Sequence, residues 1–135
     1  MEIDDLMMNR LVEIGFTKVG EWKLIDGELN LILTHELTCT NCLYAFIYGQ
    51  QVFYIGKTTQ TLVKRLNGYL KPGVTQSTNI RNRSNIIKLL QYANVVDVYC
   101  KPDDGMFKYG EFTINLAAGL EDALIEAIKP LWNKR

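Results

Sequence analysis

Apolar residues near the N-terminus recur at a helical step, Ile3, Leu6, Met7, Leu11 and Ile14, and Gly15 supplies a stop. This predicts a helix over 3–15. The period then changes. Trp22-Lys23-Leu24-Ile25 and Leu29-Asn30-Leu31-Ile32-Leu33 flank Asp26-Gly27, a dipeptide suited to the positive φ angles of a tight hairpin. Leu43-Tyr44-Ala45-Phe46-Ile47-Tyr48 and Val52-Phe53-Tyr54-Ile55 are rich in β-formers and are joined through Gly49-Gln50-Gln51, a second hairpin.

Helical spacing returns after Thr58 and Thr59. Either can cap a helix running to about Leu70, with Leu62, Leu66 and Tyr69 on one face and Arg65 at its border. Pro72-Gly73 ends it. A second helix is expected near Asn79–Ala93 with Ile80, Ile87 and Leu90 inward. A strand follows over Val95–Cys100, then an irregular, partly extended connection over 101–115. The last helix is expected over Leu116–Lys129, stopped by Pro130. This order predicts an α+β fold: a small, mostly antiparallel three-stranded sheet flanked by helices, with an N-terminal helix and hairpin extension. The extension takes residues 1–41 and packs on the core; residues 42–135 form the principal domain.

A chain of 135 residues can bury a real core, and 47% apolar with 22% charged residues is an ordinary globular balance. No apolar run is long enough for a membrane span. Met1-Glu2-Ile3-Asp4-Asp5 is acidic and is not a secretory signal, which implies a cytoplasmic protein with reduced cysteines. Cys39-Thr40-Asn41-Cys42, with His35 upstream and Cys100 downstream, offers four candidate zinc ligands. Against that, Cys42 and Cys100 sit in apolar strand-like runs, where a buried cysteine is an ordinary small hydrophobe.

Charge changes the picture more. The chain has 15 acidic and 15 basic residues, but residues 37–96 hold seven bases and no acid. The seven are Lys57, Lys64, Arg65, Lys71, Arg81, Arg83 and Lys88. A basic block inside a neutral chain is a footprint for a polyanion.

In the middle of that block stands Tyr54-Ile55-Gly56-Lys57-Thr58. Lys57 at a strand end and Arg65 on the following helix can point at one anion, Arg as a fork and Lys as a point charge. Tyr44 and Tyr54 can meet across their hairpin, a phenol pair able to orient or deprotonate water. Gly56 lets backbone approach a phosphate closely. On the last helix, Glu121 shares the apolar face of Leu124, Ile125 and Ile128, whereas Asp122 and Glu126 lie on a solvated face. A carboxylate at the border of a core face needs a partner, and a Mg²⁺ ion held by one carboxylate, water and phosphate fits that position.

The segment Cys42–Leu70, with Glu121–Asn133, resembles the GIY-YIG nuclease family. Cys42-Leu43-Tyr44 stands where the family has Gly-Ile-Tyr, and Tyr54-Ile55-Gly56 matches its second tripeptide. Glu121, Pro130 and Asn133 follow the spacing of its closing motif. Some relatives carry His where this chain has Tyr69. The resemblance implies a metal-dependent endonuclease that hydrolyses DNA phosphodiesters with Mg²⁺ or Mn²⁺ on Glu121. It implies a catalytic set of Tyr44, Tyr54, Lys57, Arg65, Glu121 and Asn133, and makes 42–135 a nuclease-like domain. The DNA contacts expected beside that set are Gly56, Lys64, Lys71, Arg81, Arg83 and Lys88. One such site cuts one strand, so double-strand cutting requires a homodimer or a second visit. The rival reading is a non-catalytic nucleic-acid-binding module on the same scaffold.

Overall fold

Two tight turns organise the sheet. Asp26 and Gly27 take φ of 52° and 79°, and Gly49 and Gln50 take 58° and 68°, so each pair closes a two-residue hairpin of the twist that strands favour. The first joins β1 (Thr17–Ile25) to β2 (Glu28–Leu33); the second joins β3 (Thr40–Tyr48) to β4 (Gln51–Thr61). The structure, a computed structural model, describes residues 3–35 and 38–133, with the side chains of 3–6 outside the description. The expected inward positions Ile3 and Leu6 therefore lie outside the described side chains.

Before the sheet runs α1 (Ile3–Glu13), ended by Gly15 at φ 108°. After β4 come α2 (Leu62–Leu70), α3 (Ser77–Leu89), β5 (Val96–Pro102), the short pair β6 (Lys108–Tyr109) and β7 (Phe112–Thr113), and α4 (Leu116–Ile128). The main sheet has five strands in the order β2-β1-β5-β3-β4, every pair antiparallel. This corrects the expectation of three. β5 inserts between the two hairpins, pairing Trp22 with Val96 on one side and Tyr44 with Cys100 on the other. Hydrophobic period identifies a strand but not its neighbours, so the N-terminal hairpin read as an appendage when it is continuous with the sheet.

Both faces of the sheet are covered, which is why β3 is buried without a break from Cys42 to Ile47. One face carries Trp22, Tyr44, Phe46, Tyr54 and Val98 under α2 and α3. The other carries Leu43, Ala45, Ile47 and Ile55 under α1 and α4. The two helices after β4 differ from expectation. The cap of α2 is Thr61, which accepts a hydrogen bond from Lys64 N at 3.3 Å, while Thr58 Oγ1 accepts from Gln60 N inside β4. The inward face of α3 is Asn79, Asn82, Ile86 and Leu90; Ile80 is exposed and Ile87 only half-buried. Two of those inward residues are amides, so an apolar template finds the wrong stripe. Within the connection expected to be irregular, Lys108–Thr113 form a small hairpin. No helix among the described residues is long and apolar enough to cross a membrane.

Candidate active site

β4 is an edge strand, and the candidate residues gather along it. Tyr44 and Gly56 are direct partners across β3 and β4. A Cβ on Gly56 would lie 2.6 Å from both Cζ and Oη of Tyr44. The glycine, expected to admit a phosphate, is buried and instead admits the tyrosine ring. Tyr44 is fully buried, and its Oη shares a 2.7 Å hydrogen bond with Tyr69 Oη. Burial, foremost, pushes both phenols well above their ordinary range, so both stay neutral. Tyr54 stacks near them, its ring 6.2 Å from that of Tyr44, and keeps 8% of its surface open. The two phenol rings do meet across the hairpin, and both are buried, Tyr44 completely.

Arg65 is held by this cluster. Its Nη2 donates to Tyr69 Oη at 2.9 Å, its Nη1 donates to Asn79 Oδ1 at 2.8 Å, and Cζ sits 4.6 Å above the Tyr69 ring. Both acceptors are neutral, so neither bond cancels the charge. Asn79 in turn donates to Gln76 Oε1, which accepts from Gly73 N at 2.8 Å. Gly68 leaves room for that amide, since a Cβ there would lie 3.3 Å from Asn79 Nδ2. The chain from Gly73 through Gln76 and Asn79 to Arg65 escaped sequence reasoning, because polar residues on a helix read as solvated. Lys57 and Arg65 line one open cavity of about 370 Å³ with Thr58, Thr59, Gln60 and Gln76. Two cations and four hydroxyl-bearing or amide neighbours suit an anion.

Asn133 closes the same edge. Its Oδ1 accepts from Ile55 N at 2.9 Å and its Nδ2 donates to Ile55 O at 2.8 Å, imitating a strand partner. Trp132 N adds a bond to Phe53 O at 2.8 Å. Glu121 is half-buried on α4, which packs on the β4 face opposite the phenols, and Glu126 is exposed. The edge strand is thus flanked by Arg65 on α2 and by the helix of Glu121. Among the described residues the acids form no cluster of three or more metal donors. A single carboxylate such as Glu121 suits Mg²⁺, which keeps its waters and shares substrate oxygens, and does not suit an ion needing a full protein cage.

The basic block is not uniform. Lys57, Lys64, Lys71 and Lys88 are exposed, and Arg81 is half-buried. Arg83 Nη1 donates to the carbonyls of Tyr69 and Leu70, at 3.3 and 2.8 Å, and so caps the C-terminal end of α2.

The five-stranded fold thus fixes a guanidinium on the flank of an edge strand, beside a cavity that it shares with Lys57. Solved structures share the fold. Bacteriophage T4 EndoII, in the structure of a Glu→Ala mutant, matches with a TM-score of 0.73 at 26% identity, over 95% of this chain and 98% of that one. The restriction endonuclease HPY188I, in complex with product DNA, matches with a TM-score of 0.50 at 16% identity, over 90% of this chain and 80% of that one. No protein-family model matches the chain, and no curated protein matches it in sequence. The chain has a nuclease fold.

Proposed function

We propose that the protein is a divalent-metal-dependent DNA endonuclease of the GIY-YIG type. The observation that carries this reading is the anchored Arg65 sharing a cavity with Lys57 on a nuclease fold. A scissile phosphate enters that cavity. Lys57 attracts it as a point charge and Arg65 engages its oxygens with the guanidinium edge left free by Asn79 and Tyr69. Because the arginine is fixed before substrate arrives, little reorganisation is needed as charge develops on phosphorus.

Tyr54, the less completely buried of the two phenols, orients the attacking water, while Tyr44 holds Tyr69 and through it Arg65. The water gives up a proton to solvent as its oxygen adds to phosphorus, the ester P–O bond breaks, and the leaving oxygen takes a proton from solvent. Glu121 holds Mg²⁺ or Mn²⁺, which when bound supplies Lewis-acid charge at the phosphate. Asn133 keeps the edge of β4 in place at Ile55. The exposed Lys64, Lys71 and Lys88 contact flanking phosphates. Residues 42–135 carry this whole set as the nuclease-like unit, and residues 1–41 extend its sheet and adapt it to a target. Each chain cuts one strand in the cytoplasm, and a homodimer cuts two.

The test is incubation with duplex, branched and damaged DNA in Mg²⁺ and in chelator. Cuts that require the ion support the reading. Binding without cleavage on every substrate assigns the non-catalytic module instead.

A further inference from the structure

A Cys-x-x-Cys pair and a third cysteine distant in sequence meet at one end of the sheet. Cys39 precedes β3, Cys42 lies in it, and Cys100 lies in β5. Their Sγ atoms are all within 4.8 Å of one another, Cys42 and Cys100 buried and Cys39 half-buried. The local backbone is shaped to achieve this. Asn41 takes φ of 55°, and the β3–β4 register shifts between Thr40 and Cys42. That irregularity turns Cys39 toward the face that Cys42 already occupies. Beside Cys100 opens a cavity of about 210 Å³ lined by Thr17, Val19, His35 and Pro102.

We propose that Cys39, Cys42 and Cys100 bind one structural zinc ion as thiolates, with the fourth position facing the cavity that His35 lines. Packing alone explains one buried cysteine, not three sulfurs converging from two segments. Disulfide formation explains them poorly, because any pair leaves a third thiol buried beside it. Zinc accounts for all three. Cys-x-x-Cys is its usual ligand spacing, and Zn–S bonds of about 2.3 Å place tetrahedral sulfurs about 3.8 Å apart, a small contraction of the cluster. Each thiol that binds gives its proton to solvent, so uptake is coupled to proton release. The ion would tie the start of β3 to the end of β5. Cys100 is the direct strand partner of Tyr44, so the tie braces the buried phenol from behind. It rests on the thiol geometry and not on the proposed cleavage.

The experiment uses the untagged full chain, purified without chelator and reconstituted with Zn²⁺ under reducing conditions. One zinc per chain is expected, with sulfur neighbours at about 2.3 Å by X-ray absorption. A mercurial that blocks the thiols should release it. Cys39→Ser, at the half-buried position most tolerant of a hydroxyl, should lose the zinc, and its melting temperature should no longer respond to a strong chelator. Substoichiometric zinc after reconstitution, a shell of nitrogen and oxygen alone, or stoichiometric zinc in Cys39→Ser would each overturn the proposal.

Discussion

Replacing Gly56 with alanine isolates the contact on which the phenol–guanidinium cluster depends. At an unhindered strand position this change stabilises a protein by about 0.4–1 kcal/mol, by restricting the unfolded chain. Here the new methyl carbon would lie 2.6 Å from Tyr44 Cζ and Oη, and 3.0 Å from Cε2. The ring cannot swing away, since Phe46, Tyr54 and Tyr69 rings stand 5.7, 6.2 and 6.4 Å from it and its surface is fully buried. Overpacking of this kind costs about 1–3 kcal/mol. Displacing Oη from its 2.7 Å bond to Tyr69 strands a buried hydroxyl, at a further cost of about 1–3 kcal/mol. The two costs add to a loss of roughly 2–6 kcal/mol. With an unfolding entropy near 2.1 cal/mol/K per residue, a chain of 135 residues melts about 3.5 °C lower per kcal/mol. Gly56→Ala should therefore lower the melting temperature by about 7–21 °C. The assay is thermal and urea unfolding of Gly56→Ala, Tyr44→Leu and the double variant. A smaller side chain at position 44 should relieve the clash, leaving a coupling of about 1–3 kcal/mol in the cycle. A cost for Gly56→Ala that is the same in both backgrounds, or a gain in stability, would refute the steric account.

Arg65→Lys keeps the charge but loses the two-pronged hold on Asn79 and Tyr69, and turnover should fall by about 10²-fold or more. A change confined to DNA affinity, with single-turnover cleavage intact, would make it an ordinary phosphate contact. The Lys64→Ala, Lys71→Ala, Lys88→Ala triple variant should fold normally and lower the salt slope of DNA binding by about three, one per contact. An unchanged slope would route DNA elsewhere. Asn133→Ala removes both bonds to Ile55 and should cost about 1–3 kcal/mol in urea unfolding. Wild-type stability would mean the edge of β4 is held by Trp132 alone.

What the sequence disclosed follows from which signals are local. The hairpin turns at Asp26-Gly27 and Gly49-Gln50 depend on two residues each and were readable. So was the inward face of α2 at Leu62, Leu66 and Tyr69, because all three are bulky and share a helical step. The face of α3 was not, since Asn79 and Asn82 are buried by tertiary contact and no propensity marks an amide for the interior. The placement of β5 between hairpins is a long-range pairing with no local signature. Tyr44, Tyr54, Lys57 and Arg65 were each visible as candidates. Their division of labour was not, because exposure separates Tyr54 from Tyr44, and exposure is a property of the fold. Arg83 read as one more base until its carbonyl partners on α2 were located.

The proposed catalysis stands or falls on one carboxylate. The direct measurement is nicking of supercoiled plasmid by the wild-type chain and by Glu121→Ala, each in Mg²⁺ and in chelator, with DNA affinity measured in parallel. The account expects nicking by the wild type in Mg²⁺ alone, and loss of nicking in Glu121→Ala with binding retained. Nicking by Glu121→Ala in Mg²⁺ at the wild-type rate would contradict it.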